Sequence, residues 1–251
     1  MATSTPDARR RAELAQNLAR VRQRIADACA AAGRDPSEVR LIAVTKTYPA
    51  SDIALLADLG VTDVGENRDQ EAAPKAAAVA AAGAALRWHF VGRLQRNKCR
   101  SVVRYADVVQ SVDSVRLAEA LGKAVHRHRA EGGRGGPLEV LVQVSIDGDP
   151  ARGGAWPESS DPDRGLLPVV TAVATQPDLR LAGLMAVAPL GWRPASAFER
   201  LATIAERVRR EFPDASALSA GMSGDLEAAI QYGATHVRVG SALLGMRAPL
   251  R

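Results

Sequence analysis

Lysine is scarce in this chain. Of its 33 basic residues only Lys46, Lys75, Lys98 and Lys123 are lysines, and the rest are arginines. Lys46 closes the apolar run LIAVTK, 41–46. On an extended strand Ile42, Val44 and Lys46 share one face. An amine placed there has two readings. Its stem packs while its head snorkels to water, or it condenses with a carbonyl, which arginine cannot do. Desolvation and a neighbouring cation would supply the neutral amine that such chemistry needs. Near the other end of the chain, SAGMSGDLEAAI, 219–230, and HVRVGSALLG, 236–245, each place Gly and Ser just before a helix-like run. Free backbone N–H groups and the helix dipole at such starts suit a phosphate, although Ser caps and Gly turns give the same pattern. Arg238 shares a face with His236 and Gly240. Inside an apolar strand it needs a partner, either a carboxylate or a ligand acceptor.

An amine, a phosphate cradle and a fixed donor together suggest a phosphorylated aldehyde or ketone. Pyridoxal phosphate fits: its carbonyl to Lys46 as an imine, its phosphate on the helix starts, and a side chain facing its ring nitrogen. Other polar residues follow strand-like runs. In GENRDQE, 65–71, Asn67 contacts a ligand or caps the next helix. In WHFVGRLQRNK, 88–98, His89 shares a face with Val91 and reads first as a satisfied core histidine, while Gln95 and Asn97 are positioned to cap the third helix of the repeating units.

The elements that must position these residues repeat. Residues 7–33 read as one helix with an apolar stripe of Leu14, Leu18, Val21, Ile25 and Cys29, stopped by Gly33 and Pro36. Strand-like runs follow at 41–45, 62–65, 87–91, 107–110, 139–145, 181–187, 216–219 and 236–239. Helix-like stretches lie at 51–59, 67–82, 95–105, 114–130, 163–175, 195–211 and 224–232, with a short piece from 241. Repeated βα units imply a parallel sheet. Their number and the chain length match a (β/α)8 TIM barrel of the α/β class, a single domain over 1–251 with an extra N-terminal helix; a doubly wound sheet is the alternative. Two segments read as loops, 131–137 and 147–165. The second follows the fifth strand and so falls on the C-terminal face, where barrels build their sites.

Composition excludes other classes. The chain has 251 residues and a formal net charge of +5, but its arginines are spread among 28 acidic residues and aromatics make up only 4%. That argues against nucleic acid as a partner. No run approaches the ~18 apolar residues of a membrane span. The start lacks the apolar segment of a signal peptide, and Cys29 and Cys99 have neither metal nor disulfide spacing. The expectation is a cytoplasmic protein.

Taken in order, AVTKTYPASDI, GENRDQE, WHFVGRLQRNK, GLMAV, LSAGMSGDLEAAI and VRVGSALLG resemble the pyridoxal phosphate homeostasis protein family, over residues 10 to 247. The resemblance implies a barrel like the N-terminal domain of bacterial alanine racemase. It implies that Lys46 forms the imine, that Ser223, Gly240 and Ser241 bind the phosphate, and that Arg238 faces the pyridine nitrogen. Asn67, His89 and Met185 are implied to line the pocket. Arg68-Asp69 and Gly224 depart from the family pattern and touch the pocket rim, and the 147–165 loop is longer and more polar than expected. A permanently charged arginine beside the ring nitrogen leaves the ring unprotonated, a weaker electron sink. The chain also ends within about ten residues of its last motif, without the second domain that supplies a racemase tyrosine. The expectation is a carrier of pyridoxal phosphate in vitamin B6 homeostasis, without strong catalysis, acting as a monomer toward pyridoxal-phosphate-dependent apoenzymes. The alternatives are a Schiff-base aldolase, a weak racemase on a small substrate, or a nucleic-acid module.

Overall fold

The computed structural model describes residues 6–245 apart from 150 and 152. Eight parallel strands close into a barrel in chain order, with the first pairing the last: β1 (Arg40–Val44), β2 (Asp63–Glu66), β3 (Arg87–Phe90), β4 (Val108–Val112), β5 (Leu138–Gln143), β6 (Leu179–Met185), β7 (Ala217–Ser219) and β8 (His236–Val239). The closure of β1 on β8 is in register over Arg40↔His236 to Ala43↔Val239. This settles the choice between barrel and doubly wound sheet.

The expected N-terminal helix is α1 (Pro6–Ala31). Around the barrel run α2 (Ala50–Asp58), α3 (Asp69–Ala81), α4 (Cys99–Val102), α5 (Val115–Ala130), α6 (Leu166–Ala174), α7 (Pro194–Glu211), α8 (Leu226–Gln231) and α9 (Ser241–Leu244). The predicted third helix of the repeat, 95–105, is instead a short 3-10 turn, Arg96–Lys98, running into one turn of α4. Gln95 holds the cap position of that turn, but its side chain makes no cap bond. β4 extends two residues past the predicted end, and β6 starts two residues earlier.

Period-two alternation divides each strand between two environments. The outward residues pack under the helices. Leu14, Leu18, Val21, Ile25 and Cys29 of α1 are all buried, against Ile53 and Leu56 of α2 and Val237 and Leu243. A second cluster joins Leu117 and Leu121 of α5, Val169 of α6 and Phe198 of α7 to Val109, Val140 and Leu184 of the sheet. Each fully buried side chain of this kind contributes roughly 1.5–3 kcal/mol. The barrel interior differs from its outer face. Its apolar part is small, centred on Val108, Leu141, Ala182 and Met185. Buried beside it are Asp63, His89, Gln110, Ser219 and Arg238. Barrel interiors are ordinarily filled by branched aliphatic residues, so this polar set needs a separate reason.

The 147–165 segment folds back on the barrel: Ala155 exchanges backbone bonds with Gln143 and Ser145, and Trp156 pairs with Gly165. Among the described residues no helix is long and apolar enough to cross a membrane. Cys29 and Cys99 are both buried and unpaired.

Candidate functional site

Lys46 lies two residues past Val44, the last residue of β1, and stands exposed at the C-terminal mouth. It is not desolvated, and among the described residues it makes no hydrogen bond or ion pair. The backbone just beyond it is strained. Thr47 has φ 68°, a left-handed conformation that a β-branched residue rarely adopts, and such strain costs about 1–3 kcal/mol. The Thr47 N–H donates to Glu71 Oε2 at 3.1 Å, which helps to hold that turn.

Two of the other lysines are occupied. Lys75 Nζ donates to Glu66 Oε1 at 2.7 Å and to the Thr45 carbonyl at 3.0 Å, and Thr45 Oγ1 donates to the same carboxylate oxygen. Lys98 lies 3.8 Å from Asp69. Burial pushes the Glu66 carboxyl up, and the bonds from Lys75 and Thr45 oppose that rise. Lys75 therefore anchors the residue before Lys46, while Lys46 itself stays uncommitted.

The turns after β7 and β8 meet. Gly221 has φ 88°, and a Cβ there would lie 2.6 Å from Ala229 Cβ, so the entry to the first turn requires glycine. Asp225, not Ser223, takes the cap position of α8 and accepts the Met222 N–H at 2.6 Å. Ser223 Oγ instead accepts the N–H of Ala242, in the first turn of α9, at 3.2 Å. Gly240 caps α9 and Ser241 opens it. The far end of α9 is bound by the N-terminal helix. Asn17 Nδ2 donates to the Leu243 carbonyl and Arg10 Nη2 to the Leu244 carbonyl, each at 2.9 Å, and Arg24 donates to the Ser223 carbonyl at 3.0 Å. Arg10 also pairs with Asp52 at 2.7 Å and lies over the Tyr48 ring, and Tyr48 donates to the Gly245 carbonyl at 2.6 Å. Arg10 thus couples the segment after Lys46 to the C-terminal end of α9, while Arg24 holds the turn at Ser223.

Arg238 is 5% exposed. Its Nη1 donates to Ser219 Oγ and its Nη2 to the Ala186 carbonyl, both at 2.8 Å. The ion pair that would make it purely structural is missing, since among the described residues no carboxylate forms a salt bridge with it. Burial pushes the guanidinium down to about 10, which leaves it charged at neutral pH. His89 lies inside the barrel rather than at the mouth. Its Nε2 meets Asp63 Oδ1 and its Nδ1 meets Gln110 Nε2, each at 2.8 Å. Its ring centroid is 6.4 Å from that of His236, two residues below Arg238 on β8. The satisfied core histidine is what the structure contains. Met185 ends β6 and packs on Leu141 and Ala182. Asn67 is half-buried, and capping does not account for it, because Arg68 holds the α3 cap position without a side-chain bond. A Cβ at Gly92 would collide with the Asn67 carbonyl oxygen, so that glycine allows the loops after β2 and β3 to touch.

Sequence reading singled out the strand-end residues and missed Asp63, Gln110 and Ser219. The available signal was weak: a polar residue at an inward position of an otherwise apolar strand, as in VVQSV. Among the described residues no group of histidine, cysteine and carboxylates is arranged to hold a metal.

The mouth therefore combines an uncommitted amine, two joined Gly/Ser turns and a buried guanidinium whose partners among the described residues are neutral. The family model for the alanine racemase N-terminal domain matches residues 11–248. A pyridoxal phosphate homeostasis protein of Mycobacterium tuberculosis is 47% identical over 249 residues, covering 95% of this chain and 94% of that one. The chain belongs to the pyridoxal phosphate homeostasis protein family. The Escherichia coli family member is 37% identical over 243 residues, covering 94% of this chain and 97% of its own. Among solved structures, PipY of Synechococcus elongatus with pyridoxal phosphate bound superposes with a TM-score of 0.74 at 33% identity, covering 92% of this chain and all of that one. Alanine racemase of Corynebacterium glutamicum shares the fold alone, with a TM-score of 0.66 at 15% identity. It extends beyond the family barrel, since the match covers 96% of this chain and 63% of the racemase.

Proposed function

We propose that this chain binds pyridoxal phosphate at the barrel mouth and holds it covalently and reversibly through Lys46, as a carrier in cofactor homeostasis and not as a fast catalyst. The observation that carries the reading is Arg238, a buried cation with two neutral acceptors and, among the described residues, no carboxylate, on the strand that leads directly into the Gly240-Ser241 turn. A buried guanidinium left in that state favours a ligand acceptor in front of it. The donor set fits the cofactor. Ser223, Gly240 and Ser241 offer a hydroxyl and helix-start N–H groups to a phosphate. Asn67 and Met185 would border the ring. His89 acts from behind Arg238.

When bound, pyridoxal phosphate supplies a reactive aldehyde that an amine can hold. Lys46 presents that amine without a competing carboxylate among the described residues, while Lys75 keeps the strand end beneath it in place. Arg238, charged at neutral pH, would face the ring nitrogen as a donor and so disfavour its protonation. This restrains carbanion chemistry. The carrier reading extends to pyridoxal-phosphate-dependent apoenzymes as recipients, to a cytoplasmic location and to a monomer. The test compares absorption spectra of wild type and Lys46→Ala, loaded with cofactor, before and after borohydride. Wild type should be yellow and become fixed by borohydride, and the variant should not. A colourless wild type that cleaves a phosphorylated sugar would favour the aldolase, and rapid amino-acid racemisation would favour the racemase.

A further inference from the structure

Five buried side chains from five strands join end to end through the barrel interior. Asp63 Oδ1 meets His89 Nε2, His89 Nδ1 meets Gln110 Nε2, Gln110 Oε1 meets Ser219 Oγ at 2.7 Å, and Ser219 Oγ meets Arg238 Nη1. The two ends fix the direction of every bond. An ionised carboxylate only accepts, and a guanidinium only donates. His89 must therefore donate from Nε2 and accept at Nδ1. Gln110 then donates its amide N–H to His89 and accepts on its oxygen. Ser219 donates to Gln110 and accepts from Arg238. Each proton has one place.

No other arrangement satisfies the chain. An imidazolium at His89 would set its Nδ1–H against the Gln110 amide N–H. Flipping that amide would turn its NH2 toward Ser219, which already accepts from Arg238 and would lose the acceptor for its own proton. A neutral His89 is the requirement, and its surroundings support it. The groups facing it are Asp63 on β2, Arg87 on β3, Glu139 on β5 and His236 on β8, with Arg40 on β1 bonded to Asp63. Burial holds the imidazole below its usual range against the pull of Asp63. Asp63 stays ionised: desolvation opposes it, but His89, Thr62 and Arg40 hold the carboxyl at about 2.

We propose that Asp63, His89, Gln110 and Ser219 form a one-directional hydrogen-bond relay that fixes Arg238 as a donor toward the ring nitrogen of bound pyridoxal phosphate, with His89, Gln110 and Ser219 as positioning residues. This rests on the reading that the cofactor is held at Lys46 with its ring before Arg238. The relay also connects the buried guanidinium to the carboxylate it lacks in direct contact, because aligned hydrogen bonds polarise one another. Arg238 is thereby kept in one rotamer and one charge state.

The test uses the full-length chain and two kinds of measurement. In the first, pyridoxal phosphate is titrated into wild type, Ser219→Ala, Gln110→Leu and Ser219→Thr, following affinity, the absorption maximum of the bound cofactor and the pH midpoint of that absorption. Losing the bond to the charged Arg238 should weaken binding about tenfold in Ser219→Ala. Gln110→Leu should weaken it in the same direction by removing the acceptor that orients Ser219, and both should displace the band and its pH midpoint. Ser219→Thr keeps the hydroxyl and should stay within about twofold of wild type. In the second, nitrogen NMR of His89 in the cofactor-free wild type should show a neutral ring protonated on Nε2 at neutral pH. This keeps the proposal testable if the variants fail to fold. An Nδ1-protonated or doubly protonated ring overturns the relay. So do folded Ser219→Ala and Gln110→Leu proteins with wild-type affinity, band and pH midpoint. If wild type itself takes up no cofactor, the reading at Lys46 falls and the relay with it. If wild type binds the cofactor and the folded variants behave as it does, the relay alone falls.

Discussion

Ser223 Oγ accepts the backbone N–H of Ala242 at 3.2 Å, joining the turn after β7 to the turn after β8. The serine is thus a strut between two loops and not the cap of its own helix. Replacing Ser223 by alanine should weaken pyridoxal phosphate binding about tenfold, as expected for a lost hydrogen bond to an anion. The effect on stability should be about 1 kcal/mol. Calorimetric titration and thermal melting check the two parts separately.

Lys46 and Lys75 should separate cleanly. Lys46 is exposed and unpartnered among the described residues, so Lys46→Ala should change stability by no more than about 0.5 kcal/mol while removing the adduct that borohydride fixes. Urea unfolding and intact-mass spectrometry report the two effects.

Lys75→Met should do the reverse in part. It strips the ion pair from Glu66, which is fully buried, and breaking a buried pair costs about 3–5 kcal/mol. Burial already raises the Glu66 carboxyl, and loss of Lys75 raises it further. A carboxyl raised on folding contributes stability that is fully present below its unfolded value and is lost as pH climbs through its raised folded value. The deficit of Lys75→Met against wild type should therefore shrink as pH is lowered toward 4. Equal deficits at pH 8 and pH 4.5 would contradict the assignment.

Acid should destabilise the wild type in two stages. Burial holds His89 below its ordinary value and His236 at about 3. The unfolded chain takes up these protons below about pH 6.5 and the folded chain does not. Stability should be full above about 6.5 and decline as pH falls toward 3. Asp63, held at about 2 against desolvation by its partners, contributes stability that is present above its unfolded value near 4 and lost below it. His236→Asn should flatten the first stage, measured as the pH dependence of the urea midpoint.

Tyr48 and Arg10 tie α2 and the segment after Lys46 to the C-terminal end of α9. Arg10→Ala leaves the Leu244 carbonyl and Asp52 without their donor and should cost about 1–3 kcal/mol. Loosening the cradle should also weaken cofactor binding. An Arg10→Ala protein with wild-type stability and affinity would remove that role from the N-terminal helix.

Much of this architecture could be read before the structure. The stripe Leu14, Leu18, Val21, Ile25 and Cys29 is buried as its spacing requires, and eight βα units occur where strand-like and helix-like runs alternate. Boundaries slipped where local signals were poor, as in 95–105, which carries no strong cap and became a 3-10 turn with one turn of helix. The strand-end position of Lys46 and the two Gly/Ser turns were legible for the same local reason. Period two places a residue on a face, and glycine marks the turns that need it.

The sequence by itself determined the order of the elements, the outward faces that bury against helices, and which residues stand at strand ends, because each of these depends on neighbours a few positions apart. Only the tertiary structure decided that β1 closes on β8, that Ser223 bonds to Ala242, and that Gln110 meets Ser219 across 109 positions of chain. A glutamine in VVQSV or a serine in ALS carries no local mark of its partner. The partner is set by which inward positions the closed barrel brings to one level, and by the requirement that every buried donor find an acceptor.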